Sequence, residues 1–316
     1  MTRPFRFGVQ ISSAPDGLTW PETAKRIESL GYSSLLLPDH FGDQLAPIPA
    51  MMSAAAATSE LNVGALVFDN DYKHPVVLAK EIATIDALSG GRVEFGIGAG
   101  WMRTDYEQSG MVYDRPGVRV NRFEESLPIF RALLSGETAT FEGTHYSINE
   151  MPGTPGPVRP GGPPLLIGAG APRMLRIAGK WADIVSINPN MAAGEVNGET
   201  AKDAMADEIT QKIDWVREGA GDRFGDIELS TTLFFSLVTD DAATADATAE
   251  GAAAMFGVTA SDIRATPIVA IGSVAEISAA LIERRERWGF NYILINAANA
   301  EAFEAFAPVV AALNGT

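Results

Sequence analysis

Short apolar runs alternate with amphipathic stretches along almost the whole chain. Residues 5–11 alternate apolar and polar positions as a half-buried strand does. Residues 19–31 then have helical periodicity, with a capping box at the start and a glycine at the end. The same unit recurs and predicts eight strands. These predicted strands cover residues 5–11, 34–38, 61–68, 93–98, 164–168, 183–187, 227–238 and 292–295.

Eight strands that alternate with helices predict a single α/β domain over residues 1–316, a (β/α)8 TIM barrel. A doubly wound sheet shares this alternation and is the alternative. The number of strands and the polar residues at so many strand ends favour the barrel. The alternation breaks once, after strand four. There, at about residues 137–164, a hairpin pattern and a stretch rich in proline and glycine predict an insertion.

Polar residues at the carboxyl ends of the strands are the candidates for chemistry, because a barrel of this kind has its active site there. Asp39 and His40 directly follow strand two. Histidine suits proton transfer near neutral pH, and a neighbouring carboxylate fixes its tautomer or raises its pKa. We therefore predict that His40 and Asp39 are catalytic. The alternative is a histidine that only fills the mouth of the barrel.

A second candidate is the turn of Gly168, Ala169 and Gly170, between strand five and its helix. Backbone N–H groups at a helix N-terminus bind phosphate readily, and Arg173 would add a positive charge. Close packing between strand and helix is the other reason for these glycines. The chain lacks the complete G-x-G-x-x-G pattern at this turn and at residues 96–100, which argues against a dinucleotide-binding fold.

Composition excludes several classes of function. The formal net charge of −16 argues against a nucleic-acid partner. The chain has no cysteine, and its three histidines lack zinc-protease spacing, so we expect no metal site. No apolar run approaches the ~20 residues of a membrane span, and the N-terminus lacks a signal-peptide pattern. We therefore expect a cytoplasmic protein that acts on a small molecule without a membrane partner.

Several motifs together resemble the bacterial luciferase-like monooxygenase superfamily. The main one is His-Pro at residues 74–75, followed at residues 86–101 by Asp-Ala-Leu-Ser-Gly-Gly-Arg-Val-Glu-Phe-Gly-Ile-Gly-Ala-Gly-Trp. The Asp-His pair after strand two, Leu-Ile-Gly-Ala-Gly at 166–170 and the C-terminal residues 305–313 fit as well. Within the superfamily, the chain most resembles oxidoreductases that use the deazaflavin coenzyme F420.

This resemblance implies a homodimer with F420 in the mouth of the barrel and a hydride transferred between C5 of the ring and an organic substrate. His40 would handle the proton, and Asp39 would position His40. A non-proline cis peptide is implied near Leu66–Val67, behind the ring. The implied cofactor-binding residues are Ala65, Leu66, Val67, Asn70, Gly98, Ala99, Gly100, Gly168, Ala169, Gly170 and Arg173.

Two alternatives to this function stay open. One is a monooxygenase of the same fold that uses reduced FMN and O2, and the other is a flavin-binding barrel without turnover. Some relatives that oxidise sugar phosphates have a glutamate just past strand four, whereas this chain reads Gly-Ala-Gly-Trp at residues 98–101, which argues against that substrate. The sequence does not indicate the substrate.

Overall fold

The computed structural model describes residues 3–195, 200 and 202–316 of the chain. The strands are β1 Arg6–Gln10, β2 Ser34–Leu37, β3 Asn62–Ala65, β4 Phe68–Asp69, β5 Val93–Gly98, β6 Thr138–Glu142, β7 Ser147–Pro152, β8 Leu165–Ala169, β9 Ile184–Ile187, β10 Glu228–Leu233, β11 Phe235–Val238, β12 Val269–Gly272 and β13 Phe290–Asn296. The helices are α1 Trp20–Ser29, α2 Pro47–Ala57, α3 Pro75–Ser89, α4 Arg103–Ser109, α5 Pro116–Leu134, α6 Pro172–Trp181, α7 Ala206–Ala220, α8 Ala242–Phe256, α9 Ala260–Ala265, α10 Val274–Trp288 and α11 Ala300–Leu313.

Parallel strands close into a barrel. The order runs β3, β2, β1, β13, β10, β9, β8, β5, and β3 pairs again with β5. This last pairing, between Val63 and Val93, joins the two edges of the sheet. Since a doubly wound sheet stays open, the closure excludes that alternative. The (β/α)8 barrel predicted from the sequence is confirmed, with β4 continuing the line of β3 alongside β5.

Two predicted strands differ in the structure. The third is interrupted between Ala65 and Phe68, where β3 ends and β4 begins. The seventh was predicted as one strand over residues 227–238, which is wrong. Its first part, β10, stays in the barrel, whereas the N–H of Phe234 donates to Ile268 O and β11 pairs with β12 in a separate parallel sheet. Leu229 and Leu233 of β10 pack in the barrel core, whereas Leu237 of β11 packs against a separate apolar cluster. Apolar residues therefore continue through the break, and the sequence pattern does not show it.

The predicted hairpin after strand four is present as antiparallel β6 and β7. The helix α4 and the strand β12 were missed, because seven and four residues are too few to establish a periodicity. Among the described residues, no helix is long and apolar enough to cross a membrane.

Charged side chains lie at the amino end of the barrel. Arg6 forms ion pairs with Glu94 and Glu228, and its guanidinium lies 3.4 Å from the centroid of the Tyr292 ring. The Tyr292 hydroxyl donates to Glu94 Oε2 over 2.8 Å. Buried charges require such partners. This end of the barrel is therefore occupied by a structural network, and the opposite end is open for ligands.

Candidate functional site

A cavity of about 560 Å³ opens at the carboxyl ends of the barrel strands. This volume falls within the usual range for pockets that bind small ligands. Its polar lining residues are Gln10, Asp39, His40, Asp69, Arg119, Asn188, Asn190, Thr200, Thr232 and Asn296. Its larger apolar lining residues are Leu66, Val67, Phe68, Trp101, Val120, Met174, Met191, Phe234, Phe256 and Ile268.

His40 is held by a carboxylate from another part of the chain. Its Nδ1 lies 2.6 Å from Oδ2 of Asp105, a buried residue on α4. The same carboxylate accepts from the Tyr72 hydroxyl over 3.0 Å and from the N–H of Phe41 over 3.3 Å. An ionised carboxylate only accepts, so Nδ1 of His40 carries a proton. Nε2 is then the nitrogen with which His40 can exchange a proton with a ligand in the cavity.

Asp39 does not position His40 as predicted. It lines the cavity, and its Oδ2 accepts from the N–H of Asp69 over 3.2 Å. Burial raises the pKa of Asp39 to about 6, although this N–H and the positive charge of Lys73 lower it. The positioning role predicted for Asp39 is instead held by Asp105, whose place on α4, after β5, gave no signal in the sequence.

Asp69 is the second titratable group beside Asp39 on the cavity wall. The Tyr106 hydroxyl lies 2.9 Å from Asp69 Oδ2 and 3.1 Å from Asp71 Oδ2. Asp71 is ion-paired with Arg122 over 2.8 Å. Burial raises the pKa of Asp69 to about 7, and the neighbouring charge of Asp71 adds to this rise, although the N–H of Asp71 and the Tyr106 hydroxyl lower the pKa by their hydrogen bonds.

The peptide bond between Leu66 and Val67 is cis, as the resemblance implied, and both residues line the cavity. Gln10 donates from Nε2 to Leu66 O over 2.7 Å and fixes this bend. A Cβ on Gly98 would lie 2.8 Å from Val67 Cγ2, and one on Gly168 would lie 3.1 Å from Val67 Cγ1. These two glycines therefore let the Val67 side chain lie between their strands. Together with Leu66 it forms an apolar wall.

The turn after β8 brings a helix N-terminus to the cavity. Gly168, Ala169, Gly170 and Ala171 all line it. Ala171 is the N-cap of α6, and no side chain caps the first N–H groups of that helix. Such groups attract an anion. The phosphate site at this turn stays a prediction, and the uncapped N-terminus of α6 is the group that would serve it.

Arg173 lies outside the cavity lining. Its guanidinium donates to Asn121 Oδ1 over 2.7 Å and to Glu124 Oε2 over 3.0 Å, on the exposed surface of α5. The positive charge expected beside the turn is therefore already paired elsewhere. The turn therefore brings no positively charged side chain to the cavity.

Two further residues implied by the resemblance lie behind the cavity wall. Ala65 is buried in the barrel core, outside the lining. Asn70 is also buried, and its Nδ2 donates to the Tyr146 hydroxyl over 3.2 Å. Gly98, Ala99, Gly100, Leu66 and Val67 do line the cavity, as does Trp101, whose ring meets the His40 ring edge-on at a centroid distance of 5.5 Å.

Sequence reasoning missed Asp105 and the apolar residues Phe234, Phe256 and Ile268. The last three come from the segment between β10 and β12. The sequence pattern predicted secondary structure for this segment but gave no sign that it borders the cavity. Within residues 3–195, 200 and 202–316, no cluster of three His, Asp or Glu side chains could hold a metal ion.

A family model described as luciferase-like monooxygenase matches residues 3–288 of the chain. An F420-dependent glucose-6-phosphate dehydrogenase from Microbacterium testaceum is 30% identical over 194 residues, which cover 58% of this chain and 56% of the relative. A 5,10-methylenetetrahydromethanopterin reductase from Archaeoglobus fulgidus is 30% identical over 165 residues, which cover 52% and 47%. The chain thus spans about half the length of these two curated relatives.

Solved structures share the fold over nearly the whole chain. An F420-dependent secondary alcohol dehydrogenase in complex with an F420-acetone adduct has a TM-score of 0.74 at 19% identity, covering 98% of this chain and 99% of the other. A riboflavin lyase with modified FMN has a TM-score of 0.77 at 14% identity, covering 98% and 91%. Identities this low establish the common barrel alone.

Proposed function

This chain belongs to the luciferase-like monooxygenase family, and we propose that it is an oxidoreductase that uses coenzyme F420. In this proposal a hydride moves between C5 of the deazaflavin and a small organic substrate. The observation that carries it is the placement of His40, held by Asp105, in the same cavity as the Leu66–Val67 wall and the open N-terminus of α6. Named relatives that depend on F420 support the choice of cofactor.

The residues present fit this cofactor. The apolar wall of Leu66 and Val67 suits the face of a planar ring, and the N–H groups at the start of α6 suit a phosphate. When bound, F420 supplies or accepts the hydride. The protein orients the reactants and excludes water through its apolar lining.

His40 is the proton-transfer residue of the proposal. Asp105 accepts the Nδ1 proton and so orients the ring, and Nε2 gives a proton to the substrate oxygen or takes one from it. Trp101 packs against the ring edge-on and limits its rotation. These two contacts hold the His40 ring in one orientation, as proton transfer to or from a bound substrate requires.

The first test is titration of the purified protein with F420 and, separately, with FMN, followed by absorbance and fluorescence. We expect micromolar binding of F420 and much weaker binding of FMN. The reverse preference would overturn the proposal in favour of a monooxygenase that uses reduced FMN and O2. Binding of neither would remove the redox function altogether.

A pair of variants tests the phosphate site. Ala171→Asp places a carboxylate at the N-cap of α6, where Asp is a favourable capping residue. We expect F420 binding to weaken by about tenfold, from like-charge repulsion, while the melting temperature stays the same or rises. Arg173→Ala, two residues away, should leave F420 binding unchanged because its side chain points to α5. Equal binding by A171D and wild type would place the phosphate elsewhere.

A further inference from the structure

A separate small unit of the fold forms one side of the cavity. After β10 the chain leaves the barrel, runs through β11, α8 and α9, and returns in β12 beside β11. We call residues 234–272 the cap. The cap has its own apolar core, to which Ala249, Ile263 and Ile271 contribute. Ala270 of β12 packs in the barrel core instead, so the cap is anchored to the barrel on one side.

Three cap side chains, Phe234, Phe256 and Ile268, line the cavity. Phe234 stays 45% exposed, and the other two are partly buried. Trp101 lines the same cavity from the loop after β5. Aromatic surface left open to a cavity is normally covered by ligand, because each ring gains from removal of its apolar area from water. The cap and Trp101 therefore provide an apolar subsite next to His40.

Charge in the cavity argues against an anionic substrate. Apart from His40, the basic side chain in the described lining is Arg119, which is only 2% exposed. Its guanidinium donates to Asp114 O and lies 4.4 Å from the centroid of the Tyr113 ring. Its Nε makes no hydrogen bond to any of the described residues, but the guanidinium is too deeply buried to offer a substrate anion any surface. The remaining charged lining residues are Asp39 and Asp69, which repel an anion or stay neutral.

Within the described lining, a phosphate or carboxylate on a substrate would meet no accessible lysine or arginine side chain. It would lose its hydration there without a matching cation, which is unfavourable. The backbone N–H groups of α6 are already assigned to the cofactor in the proposed function.

We propose that the substrate is an uncharged, apolar ketone or aldehyde, or the corresponding alcohol. Its hydrocarbon part packs on Phe234, Phe256, Ile268 and Trp101, and its oxygen meets His40. This inference rests on the proposed function. In the reducing direction, the carbonyl carbon gains a hydride from reduced F420 and the oxygen gains a proton from His40. The C=O double bond becomes C–H and O–H, F420 is left oxidised, and solvent returns the proton to His40.

The test uses the protein saturated with F420 and compares three probes, an aliphatic 2-ketone series, a 2-oxo acid of equal length, and glucose 6-phosphate with oxidised F420. We expect kcat/KM for the ketones to rise by about fourfold with each added methylene until the subsite is full. The oxo acid and the sugar phosphate should be poor substrates. Higher kcat/KM for either anion would overturn the inference.

Phe234 and Phe235 are a matched pair, adjacent in sequence and 45% and 44% exposed, of which only Phe234 lines the cavity. Phe234→Ala should raise KM for 2-octanone and weaken its calorimetric binding by about tenfold or more, with little change in kcat. Phe235→Ala should leave the KM for 2-octanone and its calorimetric binding unchanged. Equal effects of the two substitutions would overturn the apolar subsite.

The prior titration with F420 separates the two possible failures. Absence of F420 binding would overturn the proposed function and the substrate class with it. Normal F420 binding and reduction, together with a preference for charged substrates, would overturn the substrate class alone.

Discussion

Nδ1 of His40 lies 2.6 Å from Oδ2 of Asp105, although 65 residues separate the two in the chain. His40 follows β2, whereas Asp105 follows β5. Tyr72, from the loop that follows β4, donates to the same carboxylate and connects the two loops. The contact therefore joins three consecutive strand-to-helix connections on one rim of the barrel. It also determines that Nε2 is the nitrogen of His40 left for proton exchange with a ligand.

We expect Asp105→Asn to lower kcat by about 100-fold, with F420 affinity unchanged. The amide can donate its NH2 to Nδ1, which favours the tautomer with the proton on Nε2. Kinetics and 15N NMR of the imidazole, with the His40 signal assigned from His40→Ala, would measure both effects. Asp43→Asn is the control, because Asp43 is exposed in the loop that contains His40. Full turnover with an unchanged tautomer would contradict the role of Asp105.

The raised pKa of Asp69 predicts a pH dependence of stability. Its pKa is about 7 in the folded protein against an ordinary value of 3.8. The folded state therefore binds the extra proton between these values, and the stability contributed by Asp69 is complete below about pH 4 and lost as pH rises to about 7.

Urea unfolding of wild type and Asp69→Asn across this range would measure the effect. As pH rises, the unfolding free energy of wild type should fall relative to that of the Asn variant, by at most about 1.4 kcal/mol per pH unit. A comparison of the two proteins cancels the opposite contributions of surface carboxylates. Parallel pH profiles would show that Asp69 is ionised in the folded protein.

The network at the amino end of the barrel should matter for stability and not for ligand binding. Glu94→Ala removes an acceptor from both Arg6 and Tyr292 in a buried setting. We expect a loss of about 3 kcal/mol in unfolding free energy, since one member of a buried ion pair is left uncompensated. Glu304→Ala breaks the exposed pair with Arg26 and should cost less than about 1 kcal/mol. Chemical denaturation gives both values, and similar losses would contradict the buried network.

Closure of the barrel depends on a close approach at Gly96. A Cβ there would lie 1.9 Å from Ala65 O, in the neighbouring strand line. Gly96→Ala should therefore lower the melting temperature strongly or prevent folding, because backbone would have to move. Gly117→Ala adds the same methyl group in α5 where nothing lies within 4 Å, and it should be neutral or stabilising. Thermal unfolding by circular dichroism compares them, and an unchanged G96A would contradict this account.

Much of the fold follows from local pattern. The apolar alternation at residues 5–11 and the helix signals after it establish β1 and α1, and repetition of this unit establishes the barrel. The carboxyl ends of parallel strands share one rim, so the sequence also placed His40, Gly98 and Gly168 at a common site. These conclusions need only periodicities of two and 3.6 residues and the geometry of the barrel.

Tertiary structure alone decided which groups act together at that rim. Asp105, not Asp39, holds His40, Arg173 turns to α5, and the run at residues 227–238 divides between two sheets. Each outcome depends on side-chain rotamers and on distances between loops of different strands. Periodicity records whether a residue is buried but not which distant residue it meets, so these contacts had no counterpart in the sequence pattern.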